Sequence, residues 1–255
     1  MSVQTSTASL TTRLETNRKY SGADFHGWML RHLDACPGMD VLDVGCGTGA
    51  QTLPLLDAVG PRGSVSALDI STESIVALAA AAKGRRNLEA VVSDMDAAAD
   101  AISRFRVKRY DLAQSTYALY YAKEPLAVLA AMHAALKPAG RLAVCVPCAP
   151  HTLSEFIGRF IALPPAVVTG IRFGPDVVEP FFRHHFDEVD IHLLRNPMRI
   201  PETAAVMNFL RNTSYFDPSI EREAECAVAA EIAAKGTFAA EKNSYLVIGK
   251  KPEER

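Results

Sequence analysis

The fold expected of this chain follows from the stretch V-L-D-V-G-C-G-T-G, Val41 to Gly49. Its first four residues are mostly apolar, which is typical of a short buried strand. Glycines occupy positions 45, 47 and 49, and the sequence from Ala50 onward predicts a helix. Glycines let the backbone turn tightly and let a ligand approach without meeting a Cβ. The helix directs unpaired N–H groups and the positive end of its dipole at the turn. The stretch therefore predicts a nucleotide-type binding loop.

Two kinds of nucleotide compete for this loop. Gly45, Gly47 and Ala50 satisfy the G-x-G-x-x-G/A pattern of nicotinamide dinucleotide sites. Asp43, two residues before the first glycine, and a third glycine at position 49 instead of 50 favour a different ligand. A carboxylate at the end of the strand repels a pyrophosphate but suits a ligand that carries an ammonium and a sulfonium.

The segment D-V-G-C-G-T-G, with its leading V-L, closely resembles the first motif of class I S-adenosylmethionine-dependent methyltransferases. The turn L-K-P-A-G-R-L at residues 136–142 is a second resemblance to this family. The motifs cover about residues 20–147, and the general topology continues to Lys250. The resemblance implies S-adenosylmethionine as cofactor and methyl transfer to an O, N or C nucleophile of a small molecule.

The apolar patterns predict seven strands separated by helices, which is typical of an α/β fold. We expect strands at Val41–Val44, Ser64–Leu68, Leu88–Val92, Tyr110–Gln114, Arg141–Val146, Phe186–Leu194 and Ser244–Gly249. The resemblance implies a three-layer sandwich whose sheet is mostly parallel with an antiparallel last strand. Residues 1–19 predict a flexible tail, and residues 20–250 predict a single domain.

Acidic residues end the second and third predicted strands. Asp69 lies 20 residues after Gly49, where an acid in a βαβ unit can accept from both hydroxyls of a ribose. Both nucleotide interpretations use this residue. The family resemblance implies that Asp94 accepts from the adenine amino group and that Met95 packs on the adenine ring. Asp94 or Asp96 could instead cap the next helix.

A segment before the first strand covers the methionine end of the cofactor in the resembled family. Tyr20 is the candidate for this contact, or it is a plain aromatic contact at the start of a helix. The candidate cofactor-binding set is Tyr20, Asp43, Gly45, Cys46, Gly47, Thr48, Gly49, Asp69, Ile70, Asp94, Met95 and Gln114.

Three tyrosines follow the fourth predicted strand, at the sheet edge where ligands bind in α/β folds. Tyr117 is the candidate to orient or deprotonate the substrate. Tyr120 and Tyr121 are candidate substrate contacts, one of which could line an aromatic cage against the sulfonium. The alternative is that two of the three tyrosines only pack.

Over half of the 11 phenylalanines fall within residues 150–186. This stretch predicts a helical cap over an apolar or aromatic substrate, or a cap that merely completes the core. Phe156 and Phe160 are the candidate substrate contacts from this region. His151, where the fifth strand ends, is the candidate general base.

Cys145 and Cys148 have C-x-x-C spacing, and His184 and His185 are adjacent, but neither pair has further ligands at a suitable offset. We therefore expect structural thiols and no metal site. An odd number of cysteines, five in all, is typical of reduced thiols in the cytoplasm.

The composition of the chain limits the classes of binding partner that we expect. A net charge of −2 and a pI near 6.4 argue against a dedicated nucleic-acid binder, and no apolar run is long enough to span a membrane. We expect a small-molecule substrate and leave a homodimer open. The alternatives are a non-methylating enzyme of the same fold, such as a cyclase or decarboxylase, a NAD(P)-dependent oxidoreductase, and a silent cofactor-binding subunit.

Overall fold

The computed structural model describes residues 6–253, which form two compact units. The first, which we term the sheet unit, comprises Phe25–Val146, Phe173–His192 and the chain from Tyr245 onward. The second unit comprises the chain up to Asp24, Pro147–Arg172 and Leu193–Ser244. Each unit has its own apolar core.

One sheet contains eight strands. They are β1 Asp40–Val44, β2 Ser64–Asp69, β3 Leu88–Val92, β4 Tyr110–Thr116, β5 Leu136–His151, β6 Glu188–Leu194, β7 Pro197–Ile200 and β8 Phe238–Lys250. Their order is β3-β2-β1-β4-β5-β8-β6, and β7 pairs with β8. The strands from β1 to β5 pair in parallel, whereas β7 and β8 are antiparallel. The predicted α/β fold with a mostly parallel sheet is confirmed.

Strand β7 was not among the seven predicted strands. Pro197 is its first residue and Pro201 directly follows it, and prolines in such positions usually indicate a turn or the start of a helix. Met198 and Ile200 are nevertheless buried and alternate with exposed residues, because successive side chains of a strand point to opposite faces of the sheet.

Eleven α-helices accompany the strands in the described residues. They are α1 Thr7–Tyr20, α2 Phe25–Leu33, α3 Thr52–Val59, α4 Thr72–Ala81, α5 Ala98–Arg104, α6 Pro125–Ala134, α7 Thr152–Ile157, α8 Pro165–Phe173, α9 Glu179–His185, α10 Thr203–Arg211 and α11 Glu221–Lys235. None of the helices formed by residues 6–253 is long and apolar enough to cross a membrane.

Helix α1 differs from the flexible tail expected over residues 1–19, of which residues 1–5 lie outside the described residues. Ser6 caps the helix, and its Oγ accepts a hydrogen bond from the Ser9 N–H at 3.1 Å. Thr11 and Thr16 donate their hydroxyls to carbonyls four residues earlier. The Ser/Thr-rich composition did not predict this helix. Its polar side chains form hydrogen bonds with the helix's own backbone.

The phenylalanine-rich stretch divides between the two cores. Phe173, Phe181, Phe182 and Phe186 are buried in the core of the sheet unit, together with apolar residues of β1, β4 and β5. In contrast, Phe156 and Phe160 belong to the apolar cluster of the second unit. The later part of the expected cap therefore completes the core of the sheet unit, which was the alternative interpretation of the sequence.

Candidate functional site

The loop that follows β1 is held to the end of β2 by its backbone. The N–H groups of Gly45 and Cys46 both donate to the carbonyl of Leu68, at 2.8 and 3.1 Å. Gly45 and Gly49 have φ of +77° and +90°, a region that favours glycine. The loop conformation therefore depends on residues without a side chain.

Two of these glycines also lack room for a side chain. A Cβ on Gly45 would lie 2.3 Å from the Cβ of Ala118, and a Cβ on Gly49 would lie 2.5 Å from Leu78 Cδ1. Both distances are far shorter than a van der Waals contact. The loop is therefore packed against α4 on one side and against the segment after β4 on the other.

Asp69 connects the end of β2 to the glycine loop. Its Oδ2 accepts a hydrogen bond from the Gly47 N–H at 2.8 Å, and its Oδ1 accepts from the Ser71 N–H at 2.9 Å. Each carboxylate oxygen retains a second lone pair that could accept from a ribose hydroxyl. Ile70, which directly follows Asp69, is 43% exposed, so an apolar side chain is accessible next to this carboxylate.

Asp43 is almost completely buried and lies in a chain of polar side chains. Its Oδ2 accepts from Thr52 Oγ1 at 2.6 Å, and its Oδ1 accepts from Gln114 Nε2 at 2.5 Å. Gln114 Oε1 in turn accepts from Thr116 Oγ1 at 2.6 Å. Both Asp43 oxygens and both polar atoms of the Gln114 amide thus have hydrogen-bond partners within the protein. Their contact with a cofactor stays a prediction.

Burial raises the pKa of Asp43 to about 7, because desolvation outweighs the two hydrogen bonds that favour the carboxylate, and the nearby Asp69 charge raises it further. Burial likewise raises the pKa of the Cys46 thiol well above its usual value. Cys46 is therefore a neutral thiol whose backbone, not its sulfur, holds the loop.

The acidic residues after β3 accept hydrogen bonds from different backbone segments. Asp94 Oδ1 accepts from the Asp96 N–H at 3.0 Å and caps the 3-10 turn Met95–Ala97. The Asp96 carboxylate accepts from the N–H groups of Lys123 and Glu124, just before α6. Asp94 thus takes the capping alternative at the 3-10 turn, whereas Asp96 does not cap α5, whose N-cap Ala97 makes no side-chain hydrogen bond. The adenine contact of Asp94 stays a prediction.

Met95 lies beside the glycine loop, as its predicted role requires. Its Cε is 3.5 Å from the position that a Cβ on Gly45 would take. Thr48, at the tip of the loop, is half-buried. Met95, Thr48 and the ends of β1 and β2 therefore lie at one edge of the sheet, where ligands bind in α/β folds.

The tyrosines after β4 differ in their surroundings. Tyr117 has φ of +55°, which is uncommon for a residue with a side chain, and its N–H donates to the Cys145 carbonyl at 2.8 Å. Tyr120 packs edge-to-face on Phe173, with ring centroids 6.3 Å apart. Tyr121 is 38% exposed and lies against Tyr120. Tyr117 is thus the one held in a strained conformation, which is common at functional sites.

The start of α2 lies beside both loops. The Phe25 ring is 5.7 Å from the Tyr117 ring, and His26 Nδ1 is 3.1 Å from Gln51 Nε2, directly after the glycine loop. His26 and Gln51 are not among the site residues predicted from the sequence. The signal that could have found Gln51 is a polar residue at the N-cap of a mostly apolar helix, directly after the glycines.

Four candidate residues belong to the second unit. The Tyr20 hydroxyl donates to Glu202 Oε2 at 2.6 Å. His151 is buried, its Nδ1 is 3.1 Å from Ser154 Oγ, and burial lowers its pKa to about 4. The Phe156 and Phe160 rings pack edge-to-face at 5.3 Å. The roles proposed for these four residues stay predictions.

The cysteines and histidines that were considered as metal ligands are not arranged as a metal site in the part of the chain that the structure describes. All five cysteines are free thiols. The His185 ring stacks on Phe181, with ring centroids 3.9 Å apart. Across residues 6–253, His, Cys, Asp and Glu side chains form no group of three or more that could hold a metal ion.

Comparison with known proteins gives one family match. The family described as "Methyltransferase domain" matches residues 36–170, which is just over half of the chain. The match includes the glycine loop, Asp69, the acidic residues after β3 and the loop after β4.

Several curated relatives are about a third identical to this chain over the residues that align. Nocamycin O-methyltransferase of Saccharothrix syringae is 33% identical over 140 residues, 53% of this chain and 49% of that protein. Aklanonic acid methyltransferase DauC of Streptomyces sp. (strain C5) is 30% identical over 132 residues, 49% of this chain and 58% of that protein. The chain thus covers about half the length of these relatives.

Solved structures resemble almost the whole chain. The YcgJ protein of Bacillus subtilis has a TM-score of 0.59 at 16% identity, covering 89% of this chain and 98% of that chain. The [4+2]-cyclase SpnF has a TM-score of 0.55 at 16% identity, covering 96% of this chain and 94% of that chain. At such low identity these likenesses establish the fold alone.

Proposed function

The chain belongs to the methyltransferase domain family, and on that basis we propose that it transfers a methyl group to an O, N or C nucleophile of a small, apolar or aromatic molecule. Family membership identifies S-adenosylmethionine as the cofactor. The observation that carries the proposal is the glycine loop, fixed by Asp69 to the end of β2. We further propose that residues 20–250 act as one catalytic domain, in the cytoplasm.

The residues at this edge of the sheet fit the cofactor. Asp69 has free lone pairs for the ribose hydroxyls, and the exposed side chain of Ile70 offers an apolar surface next to them. Asp94 and Met95 would hold the adenine. The glycine loop, free of side chains where its backbone turns, would hold the aminoacyl end.

The bound cofactor supplies a methyl group that is already activated by a positively charged sulfur. The protein therefore needs chiefly to place the nucleophile in line with that methyl group and to exclude water. Tyr117 would orient the nucleophile, because its strained backbone fixes the ring beside Phe25 at the end of β4.

A small molecule is the substrate class that the relatives support. Two of them are named for nocamycin and aklanonic acid, and another, from Lactococcus lactis, is a demethylmenaquinone methyltransferase. The net charge of −2 adds no support for a nucleic-acid substrate.

Two experiments test the proposal in sequence. Calorimetry should show binding of S-adenosylmethionine and S-adenosylhomocysteine, whereas NADH should give no heat of binding. Incubation with methyl-labelled S-adenosylmethionine and a metabolite extract should then yield a labelled small molecule. Tight NADH binding would support the oxidoreductase alternative. Cofactor binding without a labelled product would support a silent subunit or a non-methylating enzyme.

A further inference from the structure

Gln51 has a buried amide oxygen without a hydrogen-bond partner. Only 5% of the residue is exposed, and its Nε2 is hydrogen-bonded to Nδ1 of His26 at 3.1 Å. Its Oε1 is inaccessible and has no partner among residues 6–253. Because a buried oxygen without a donor destabilises a folded protein, a partner from outside the chain is the simplest explanation.

The surroundings of Gln51 locate that partner. The residue follows Gly49 by two positions, and His26, which it contacts, is adjacent to Phe25. The Phe25 ring in turn packs against Tyr117, after β4. The Gln51 amide therefore lies where the glycine loop, α2 and the segment after β4 come together. On the proposed function, this is the end of the site that holds the aminoacyl group.

The chemistry of the oxygen selects one group of the cofactor. An amide oxygen accepts hydrogen bonds and cannot donate them. The carboxylate of the aminoacyl group is also only an acceptor, and the sulfonium carries no N–H or O–H. The α-ammonium is the donor at that end.

We propose that Gln51 Oε1 accepts a hydrogen bond from the α-ammonium of the cofactor, and that His26 is the positioning residue that directs the oxygen toward it. His26 fixes the amide because its Nδ1 accepts from Gln51 Nε2, which leaves Oε1 for the ligand. This inference rests on the proposed function, but its test uses binding and does not require a substrate.

Calorimetry of the Gln51→Met variant tests the proposal with two ligands. S-adenosylhomocysteine carries the aminoacyl group, and 5′-methylthioadenosine lacks it. We expect S-adenosylhomocysteine to bind about tenfold more weakly or worse, which is typical of losing a hydrogen bond to a charged group. We expect the affinity for 5′-methylthioadenosine to remain within about twofold, which also shows that the variant is folded.

Two further analogues identify the group that Gln51 contacts. The decarboxylated analogue of S-adenosylhomocysteine keeps the amine, so Gln51→Met should weaken its binding by a similar factor. The deaminated analogue keeps the carboxylate, so the substitution should leave its affinity unchanged. A loss that follows the carboxylate instead would overturn the assignment to the ammonium.

Ser115 provides a matched control, because its Oγ is also buried without a partner among the described residues, yet it lies on β4 instead of the loop. Ser115→Ala should change neither affinity. His26→Leu should weaken S-adenosylhomocysteine binding in the natural protein and add nothing in the Gln51→Met variant, as expected of residues that act together.

The outcomes separate this inference from the proposed function. If the natural protein binds neither ligand, the proposed function fails. If it binds both and Gln51→Met weakens both equally, the proposed function survives and Gln51 is a structural residue only. If Gln51→Met leaves the affinity for S-adenosylhomocysteine unchanged, the contact with the ammonium does not exist.

Discussion

The loop after β1 and the loop after β4 lie at the same edge of the sheet but are fixed in different ways. Backbone hydrogen bonds to Leu68 and Asp69 hold the first, and its glycines leave no space for other residues. The second contains three tyrosines, whose rings pack on Phe25 and Phe173. The first loop can serve an unchanging cofactor, whereas side chains in the second can be replaced to suit different substrates.

The largest effect that we expect tests the fixed loop. Gly45→Ala places a Cβ 2.3 Å from Ala118 in a backbone with φ of +77°, so the loop must move. We expect it to lower the free energy of unfolding by about 4 kcal/mol, from left-handed strain and overpacking together. Urea unfolding and calorimetry with S-adenosylhomocysteine would measure the loss of stability and of binding.

Gly84→Ala is the matched control for this substitution. Gly84 has a similar φ of +73°, but a Cβ there would have no neighbour within 4 Å. We expect a loss of only about 1 kcal/mol, from backbone strain alone, and unchanged cofactor binding. Equal losses for the two variants would show that contact with Ala118 does not restrict the loop.

Asp69→Ala should have the next largest effect, now on cofactor binding. The substitution removes the carboxylate that fixes Gly47 and that we expect to accept from the ribose. Affinity for S-adenosylhomocysteine should fall about 100-fold, or about 3 kcal/mol, by analogy with the loss of hydrogen bonds to charged groups. Asp57→Ala, which removes an exposed acid of α3, should leave the affinity unchanged.

The raised pKa of Asp43 predicts that the stability of the protein depends on pH. Its folded pKa of about 7 lies above its ordinary 3.8, so between these values the folded protein binds more protons than the unfolded one. This contribution is complete below pH 3.8 and is lost as the pH rises through 7. Between pH 5 and pH 8 the free energy of unfolding should therefore fall by about 2–3 kcal/mol.

Asp43→Asn isolates this contribution, because asparagine imitates the neutral acid. The natural protein should lose more stability than the variant between pH 5 and pH 8, as measured by urea unfolding at each pH. His133 and His151, whose pKa values burial lowers to about 4, affect both proteins equally. Parallel curves for the two proteins would mean that Asp43 is ionised throughout this range.

The smallest effect that we expect tests the loop after β4. Tyr117→Phe keeps the ring beside Phe25 and removes only the hydroxyl. With the substrate identified from the labelled extract, turnover should fall about tenfold and cofactor affinity should not change. Unaltered turnover in Tyr117→Phe would remove Tyr117 from the reaction.

The sequence was informative where short-range backbone chemistry fixes the structure. The glycines at fixed spacing, the acid at the end of β2 and the alternating apolar residues of the strands all impose local conformations, and the predicted strands and loop are present. Ser71 caps α4 in the same local way, by accepting from the Ser74 N–H at 3.2 Å.

The sequence was less informative where distant partners decide. Phe181 and Phe156 look alike in the sequence, but they lie in different cores. The sequence did not show that Thr52 and Gln114 donate to the two oxygens of Asp43, whose contact with the cofactor stays a prediction. Gln51 was not predicted, because its amide oxygen is distinguished only by having no hydrogen-bond partner within the described chain, which the sequence does not show.

The close approach of Gly45 to Ala118 has a consequence for the order of events during turnover. Ala118 directly follows Tyr117, so the two loops cannot slide past each other independently. Any displacement of the glycine loop on loading must therefore be transmitted to the tyrosine ring. The pocket that receives the methyl acceptor would then take its final shape only after the nucleoside has docked.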